Sequence, residues 1–549
     1  MGLSASMWTG VSGLLAHGEK MNVLGNNIAN VNTVGFKSSV MHFEDFIYQY
    51  TATTAAANGQ VGRGVSVAAV YGDFSQGAFE TTNEATDLAV GGKGFFGVKP
   101  KGEEGLYYTR AGNFRFDKDG YLVDPHGYVL QGWEIQQQET QAATTTTRSS
   151  EAEFQSKIRG VGAPTNIQLE GFTCQPKHTS RVTMISNLDS LHGGDNTPDA
   201  TDPYFALAKT WNGQNDPPLG PTTYAYQNTI KVYDEGGASH ELTIYYDQVS
   251  NAAGKNQWEY IVTMKPAEDK RAFASGYRPA NTSGAGLLMV GTLSFNSAGQ
   301  LEDLSSFTLP PGATNAKDIS QWRPTAISQN GYPLMAANFT GLSNASWIVN
   351  NDGTPVVPTP SNASGKLIEM NFGLATDPNA RWTNYNTPNM IGSNATLLPG
   401  FGTSAERSAM ATTAFAGTSS TLFQSQDGYT FGFLQNVSVN RDGILSGRYS
   451  NGVTLELYQV TLYDFLNMTG LHREGGNLFS QTLDSGEAFP GPANGNGLGS
   501  IASNSLEQSN VDLAREFVQM ITTQRGFSAN GKVITTTDQM LSEVIMLKR

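Results

Sequence analysis

Cysteine and long apolar runs are both scarce in this sequence. Its 549 residues include one cysteine, Cys174, so an internal disulfide is excluded and packing must supply the stability. No run of about 18 apolar residues occurs, which argues against a membrane-spanning helix. Residues 1–30 also lack a basic segment followed by a continuous apolar core. We therefore expect no membrane insertion and no cleaved signal peptide.

Positive charge is scarce as well. The chain has 34 Lys and Arg against 48 Asp and Glu, which gives a formal net charge of -14. No cluster of basic residues reverses this balance locally, and a negatively charged surface repels a phosphate backbone. Nucleic acid is therefore excluded as a favoured partner.

Motifs for metal binding and covalent catalysis are missing from the sequence. It contains no His-Glu-x-x-His, Cys-x-x-Cys or Gly-x-Ser-x-Gly motif, and its histidines are scattered without ligand spacing. Gly92–Gly97 matches the letters of a dinucleotide fingerprint, but the Val-Lys-Pro that follows does not open a helix. We predict no catalytic residue, no metal site and no cofactor, and hence no enzyme.

Apolar residues at the N-terminal end recur every seven positions, the spacing of a packed helical seam. Ser4 is a candidate N-cap and Asn32–Gly35 a stop signal, so we predict one helix of about 28 residues. Glycines inside it each cost about 1 kcal/mol relative to alanine, so the helix needs a partner. The predicted packing residues of this seam are Leu3, Met7, Leu14, Met21, Leu24, Ile28 and Val31.

The C-terminal end carries a second and stronger seven-residue series. Ser509 and Asp512 approximate a capping box at its start. Packing of each terminal helix on its own domain is one interpretation, but two matching seams favour coiled-coil packing between the ends or between copies. The predicted packing residues of this series are Leu506, Leu513, Phe517, Met520, Phe527, Ile534 and Leu541.

Between the ends the pattern changes to short alternating stretches, such as Thr229–Tyr233 and Glu241–Tyr245, which predict β-strands. One turn form recurs, and in each copy a glycine can take the left-handed conformation that closes a hairpin. The copies are Phe116–Leu122, Phe295–Leu301 and Val439–Leu445. The predicted fold class is multidomain, with a coiled-coil-like domain of the two terminal helices and several mostly β domains inserted between them.

Three blocks of sequence follow one another in a specific order along the chain. They are Gly10–Leu14 with Asn26–Lys37, Gly62–Val65 with Tyr108–Phe114, and Leu506–Leu513 with Thr523–Asn530. In residue type, order and placement these blocks resemble the axial proteins of the bacterial flagellum, the rod, hook and hook-associated family.

Within that family, the chain length and the large central insertion resemble the hook subunit more than the distal rod subunit. The resemblance implies a hairpin-like chain whose ends form an inner domain. The implied domains are 1–33 with 506–549 (inner helical, lining a channel), 34–75 (connecting segment), 76–154 with 426–505 (inner β) and 155–425 (outer β insertion), the last divided into 155–190 with 370–425 and 191–369.

The resemblance also implies a function and partners. The implied function is that of a self-assembling structural subunit of a curved extracellular tube, which acts as a universal joint and carries motor torque from rod to filament. The implied partners are further copies of the chain, a distal rod protein, a hook cap protein, a hook–filament junction protein and the flagellar export apparatus. The alternatives are a distal rod subunit, or a surface enzyme or glycan-binding domain on a flagellar scaffold.

Two further features have both an ordinary and a functional interpretation. Phe43 and Ile47 are explained equally well by core packing or by resemblance to the apolar pair that early export substrates present to the export gate. Cys174 is explained by a small buried side chain, or by resemblance to some spirochaete hook proteins in which a cysteine crosslinks copies through a lysine.

Overall fold

The structure, a computed structural model, describes residues 2–51, 59–103, 105–137, 157–158, 162–169, 171–250, 256–273, 275–341, 367–377 and 382–547. The chain divides into two compact units. Unit 1 combines Met1–Gln138, Ser156–Phe172 and Leu434–Arg549, and unit 2 contains Thr173–Phe433.

Two long helices lie at the two ends of the chain, and sheets lie between them, which confirms the predicted combination of helical ends and a β-rich middle. At a rise of about 1.5 Å per residue the N-terminal helix is about 42 Å long and the C-terminal helix about 52 Å. Within the described ranges, none of the helices combines the length and the apolar character that a bilayer crossing requires. The helices are α1 Gly2–Ala29, α2 Ala206–Thr210, α3 Pro388–Ile391 and α4 Leu513–Leu547.

Most strands are short and antiparallel. The strands that precede unit 2 are β1 Ser39–Asp45, β2 Gln49–Thr51, β3 Gly59–Val61, β4 Val65–Gly72, β5 Phe79–Thr81, β6 Leu88–Gly91, β7 Phe95–Pro100, β8 Tyr107–Thr109, β9 Arg115–Phe116, β10 Leu122–Val123, β11 Tyr128–Glu134, β12 Gln136–Gln137, β13 Lys157–Ile158 and β14 Thr165–Asn166.

The strands of unit 2 are β15 Thr173–Cys174, β16 Arg181–Asn187, β17 Tyr226–Tyr233, β18 Ser239–Val249, β19 Asn256–Met264, β20 Leu287–Phe295, β21 Leu301–Thr308, β22 Arg323–Pro324, β23 Leu334–Ala336, β24 Leu367–Asn371, β25 Leu374–Ala375, β26 Glu406–Arg407 and β27 Ser420–Gln426. The strands of the returning chain are β28 Gly432–Val439, β29 Ile444–Tyr449, β30 Thr454–Asp464, β31 His472–Gly475, β32 Leu478–Ser480, β33 Phe489–Pro492, β34 Ser500–Ser503 and β35 Ser505–Glu507.

The main sheet of unit 1 interleaves strands from both halves of the chain. Strand β30 pairs antiparallel with β29, β11, β33 and β7, and β7 also pairs with β8. Phe96, Leu130, Val460 and Leu462 are fully buried in the core of this unit. Because each half supplies part of one sheet, the sheet is completed only when the C-terminal half of the chain returns.

Two short antiparallel strand pairs involve the segment just before helix α4 in the C-terminal half of the chain. Strand β34 pairs with β6, and β35 pairs with β5, both antiparallel. The ladders place the segment just before α4 against strands that follow α1 in sequence. The two ends of the chain therefore meet in unit 1.

The recurrent turn has the predicted geometry in all three places. Its glycine has a positive φ, 82° at Gly120, 73° at Gly299 and 76° at Gly443. The side-chain oxygen of the Asp or Asn three residues earlier accepts two backbone N–H groups in each copy. The turns join β9 to β10, β20 to β21 and β28 to β29, so the hairpin prediction is confirmed.

Among its described residues, unit 2 contains two larger sheets and the two-stranded pair β25–β26. A six-stranded sheet runs from β17 to β22 in chain order, and a four-stranded sheet has the order β23-β24-β16-β27. The predicted strands at Thr229–Tyr233 and Glu241–Tyr245 lie inside β17 and β18 and are confirmed. One hydrophobic cluster draws on both sheets, with Met184 of β16 and Ile244 of β18 among its fully buried members.

Candidate functional site: the paired terminal helices and the junction at their base

Helices α1 and α4 pack closely against each other, with glycines on the contact line. A Cβ atom added to Gly13 would lie 2.7 Å from the side chain of Asn530, and one added to Gly526 would lie 2.7 Å from the ring of His17. The partner number on α4 falls as the number on α1 rises, so the helices run antiparallel. The glycines that weaken each helix thus have a compensating role, because they let the two backbones approach.

We predict opposite effects for leucine at two glycines of α1. Gly13→Leu overfills the contact with α4 and is expected to lower the free energy of unfolding by about 1–3 kcal/mol. Gly18→Leu is the matched control, because a Cβ added there meets nothing within 4 Å. It is expected to raise the free energy of unfolding by up to about 1 kcal/mol, since leucine is the better helix former. Thermal and urea denaturation measure both, and equal effects would contradict the close approach at Gly13.

The predicted seam residues differ in how much of each side chain is exposed in the single chain. In a straight α-helix, side chains seven positions apart differ in direction by about 20°. A seven-residue series that begins beside the contact with the partner helix therefore reaches that contact only after several repeats. The exposed members are Leu513, Phe517 and Phe527, at 39%, 48% and 45%. Those buried or half-buried are Met7, Leu14, Met21, Leu24, Ile28, Val31, Leu506, Met520, Ile534 and Leu541. The side chain of Leu3 lies outside the described residues.

The C-terminal series begins before the helix does. Leu506 lies in strand β35 and pairs with Glu80 of β5. Helix α4 begins at Leu513, and Asp512 Oδ1 accepts the backbone N–H groups of Ala514 and Arg515, which makes Asp512 the N-cap. The helical part of the predicted series therefore starts at Leu513.

A second apolar face of α4 is left exposed by the packing against α1. Phe517, Val518 and Ile521 are 48%, 62% and 50% exposed, and Val533 and Val544 are 43% and 52% exposed. Large exposed apolar patches mark interaction surfaces in soluble proteins. Phe517, Val518 and Ile521 point within about 100° of one another around the helix, and we call these three side chains the outer face of α4.

A buried ionic junction lies at the base of the helix pair, centred on Glu507. Lys37 Nζ donates to Glu507 Oε1 over 2.6 Å, and Arg110 Nη1 donates to Oε2 over 3.2 Å. The side chains of Lys37 and Glu507 are 0% exposed and that of Arg110 is 2% exposed. The backbone N–H of Gly77 also donates to Oε1. One carboxylate thus joins the segment after α1, the segment before α4 and the β-sheet body.

Burial is the dominant electrostatic influence on both cations of the junction. It lowers the pKa of Lys37, although Glu507 pulls in the opposite direction. Burial likewise lowers the pKa of Arg110 against the field of Glu507 and of Asp464. Because desolvation already disfavours the two charges, Glu507 is required to keep them in the interior.

Two asparagines tie the chain ends to the same junction. Asn27 of α1 accepts from the N–H of Ser39 and donates to its C=O, each over 2.9 Å, and it also donates to Glu516 of α4. Asn510 accepts from the N–H of Ser38 over 2.8 Å and donates to the C=O of Asp73. These hydrogen bonds fix the position of the C-terminal end of α1 and of the segment that precedes α4.

Close backbone approach at the junction requires glycine. Gly35 has φ 70°, and a Cβ atom there would lie 2.5 Å from the backbone N of Ala111. A Cβ atom on Gly77 would lie 2.0 Å from the C=O oxygen of Gln508. Sequence reasoning recorded Gly35 as part of a stop signal but missed the ionic junction around it. The signal was that Lys37, Arg110 and Glu507 are charged residues of three separate sequence blocks, Asn26–Lys37, Tyr108–Phe114 and Leu506–Leu513, in a chain that is only 15% charged.

The remaining candidate residues lie apart from the junction. Ile47 is 90% exposed, and Phe43 is 37% exposed with its ring edge-to-face on His17 at 5.6 Å. Cys174 is 4% exposed in strand β15 of unit 2, with its Sγ donating to the C=O of Gln175 over 3.4 Å. Among the residues that the structure describes, no three His, Cys, Asp or Glu side chains are grouped to hold a metal.

Comparisons with known proteins extend over the whole chain. It is 31% identical to the flagellar hook protein FlgE of Borreliella burgdorferi, over 99% of both chains. The chain belongs to the flagellar hook protein family. Members named flagellar hook protein FlgE from Treponema pallidum and Escherichia coli are 30% and 28% identical, over 99% and 98% of both chains. The hook family is one of structural proteins and not an enzyme family.

Individual segments match family domains in the expected order. Residues 7–37 match the flagella basal body rod protein family, and 89–158 match the flagellar hook protein FlgE/F/G D1 domain. Residues 196–429 match the flagellar basal body protein FlaE D2 domain, and 502–547 match the flagellar basal body rod FlgEFG protein C-terminal family. The crystal structure of Helicobacter pylori flagellar hook protein FlgE2 covers 78% of this chain at a TM-score of 0.42 and 15% identity.

Proposed function

We propose that this chain is the structural subunit of a flagellar hook and that it polymerises through its terminal helices. The observation that carries the proposal is the outer face of α4, an exposed apolar surface on a helix whose other side is already packed against α1. A second copy of the chain covers this face in the polymer, so that α1 and α4 take part in coiled-coil-like packing both within and between copies.

Polymerisation into an open tube needs contacts that do not close on themselves. The outer face of α4 meets a different surface of the next copy, and the contact repeats along the tube. The inner helical domain of residues 1–33 with 506–549 then lines the channel, and the inner β-domain surrounds it. The ionic junction transmits force between these two layers, because it joins both chain ends to the sheet through buried charge pairs.

The insertion of residues 155–425 supplies the changing outer contacts between copies. In this proposal its two domains, 155–190 with 370–425 and 191–369, exchange contacts as the curved tube rotates and acts as a universal joint. Torque then passes from a distal rod protein at one end to a hook–filament junction protein at the other, with a hook cap protein present during growth. The tube lies outside the cell.

The chain reaches that location through the flagellar export apparatus. Phe43 and Ile47 contact the export gate in this proposal, which the exposure of Ile47 supports. Secretion of Phe43→Ala and Ile47→Ala variants by a flagellated host tests it, with Leu483→Ala as a matched change at another exposed apolar residue. Normal secretion of both variants would contradict the role.

Cys174 is a candidate crosslink between copies. Its 4% exposure in the single chain means that assembly must open access to the thiol. Boiling assembled tubes in detergent tests the crosslink directly. Ladders of covalent oligomers that are lost in Cys174→Ser support it, whereas monomer alone would leave Cys174 as a packing residue.

Electron microscopy of the purified full-length chain under assembly conditions tests the proposed function. Curved tubes are expected. Short straight tubes would favour a distal rod subunit instead, and compact monomers at all concentrations would contradict a polymerising subunit.

A further inference from the structure

A hydroxyl group in unit 2 lies between two buried carboxyl groups. Thr197 Oγ1 is 3.1 Å from Asp247 Oδ2 and 3.2 Å from Glu259 Oε1. Asp247 on β18 and Glu259 on β19 are partners in the strand register, and they are 0% and 2% exposed. The two carboxyl groups are therefore side by side and away from solvent.

One hydroxyl hydrogen does not satisfy two carboxylates. Thr197 can donate to one of them only. Asp247 also accepts the N–H groups of Asn196 and Thr197 over 2.9 and 3.1 Å and the amide of Asn196 over 2.6 Å, as a charged carboxylate would. Glu259 accepts one N–H, that of Leu207, over 3.0 Å. When the Thr197 hydroxyl donates to Asp247, the contact between Thr197 and Glu259 is attractive only if Glu259 carries a hydrogen of its own.

The surroundings favour the neutral acid. Burial, together with the negative charges of Asp247 and Asp195, raises the pKa of Glu259 well above its usual range. Strand β20 contributes uncharged Thr292 opposite Glu259. Helix α2 contributes a cation, Lys209, but its ammonium donates to Asp199 and Asp202. Two adjacent buried carboxyl groups without a cation of their own do not both ionise readily.

We propose that Glu259 is protonated at neutral pH and that its proton locks the segment Asp195–Asp202 onto the six-stranded sheet. The Glu259 hydroxyl donates to Thr197 Oγ1, and the Thr197 hydroxyl donates to Asp247. Loss of the proton leaves two buried anions with one hydrogen between them, and the segment then opens to admit water. Unit 2 is thereby sensitive to alkaline pH, and this property is independent of the proposed function in the hook.

Residue-resolved hydrogen exchange of the full-length unpolymerised chain tests the lock. The reporters are the amides of Asn196 and Thr197, which both donate to Asp247. After correction for intrinsic exchange, their opening constant is expected to rise by up to tenfold per pH unit between about pH 5 and the pKa of the folded acid. A wild-type opening constant that does not change up to about pH 9 would overturn the proposal.

Two variants distinguish the effect of Glu259 deprotonation from a general loss of stability at alkaline pH. Glu259→Gln has nearly the same shape, stays neutral and still donates to Thr197, so its opening constant is expected to be independent of pH. Glu241→Gln, which removes a solvent-accessible carboxyl paired with Lys265 on the same sheet, is expected to keep the wild-type slope. A wild-type slope in Glu259→Gln would also overturn the proposal.

A spectroscopic measurement covers the case in which Glu259→Gln does not fold. Infrared spectroscopy of the wild-type chain with isotope-labelled glutamate detects a protonated glutamic acid directly. A protonated carboxyl band at neutral pH supports the lock, and the absence of that band overturns it.

Discussion

Replacement of Phe517 and Ile521 together by serine is expected to abolish polymer formation by the full-length chain. Both side chains are about half exposed in the single chain, at 48% and 50%, so the free energy of unfolding is expected to fall by about 1.5–3 kcal/mol through loss of the half that is already buried. In the polymer a second copy buries the half of each side chain that is still exposed, which contributes about 0.7–1.5 kcal/mol per side chain, and the loss recurs at every subunit. Pelleting and electron microscopy measure the effect.

A matched double variant controls for the general loss of apolar surface. Leu466 and Leu483 are 84% and 103% exposed and lie outside the terminal helices. Leu466→Ser with Leu483→Ser is expected to polymerise as wild type does. Normal tubes from the Phe517→Ser and Ile521→Ser chain would show that the outer face of α4 is not a contact between copies.

Glu507→Gln is expected to destabilise unit 1 by about 3–5 kcal/mol, because it removes the carboxylate charge that pairs directly with buried Lys37 and Arg110. Urea denaturation of the full-length chain measures the loss. Glu487→Gln is the matched control, since Glu487 is an exposed glutamate of the same unit. We expect that control to stay within about 0.5 kcal/mol of wild type.

Simultaneous replacement of the three charges distinguishes a charge effect from a packing effect. Lys37→Met, Arg110→Met and Glu507→Leu together fill the junction with apolar side chains of similar size. Such replacements of buried ion networks are often neutral or stabilising, so we expect most of the lost stability to return. A Glu507→Gln variant as stable as wild type would contradict the assignment of Glu507 as the centre of the junction.

The terminal helices could be predicted from sequence because a seven-residue apolar period is a local signal. The same period could not show which residues face α1 and which stay exposed, because that division depends on helix drift and on the position of the partner helix. The glycines at 13 and 526 illustrate the limit. The sequence predicts that these glycines destabilise an isolated helix. Their favourable role is visible only in the structure, where Asn530 packs against Gly13 and His17 packs against Gly526.

The recurrent turns could be predicted because all their chemistry lies within seven consecutive residues. The ionic junction could not, since Lys37, Arg110 and Glu507 are brought together from three distant segments. Leu506 shows the opposite case, in which a continuing period suggested helix but the ladder between β5 and β35 determined the structure. At Leu506 the strand pairing of β35 with β5 outweighed the seven-residue apolar period.

In the proposed tube, neighbouring copies of the chain cover the outer face of α4. Thiol labelling of Val518→Cys in a Cys174→Ser chain measures this directly, because Val518 is 62% exposed in the single chain. We expect rapid labelling of the free subunit and strong protection in the polymer, with Leu483→Cys in the same background as a comparison. Equal labelling of Val518→Cys in subunit and polymer would contradict the claim.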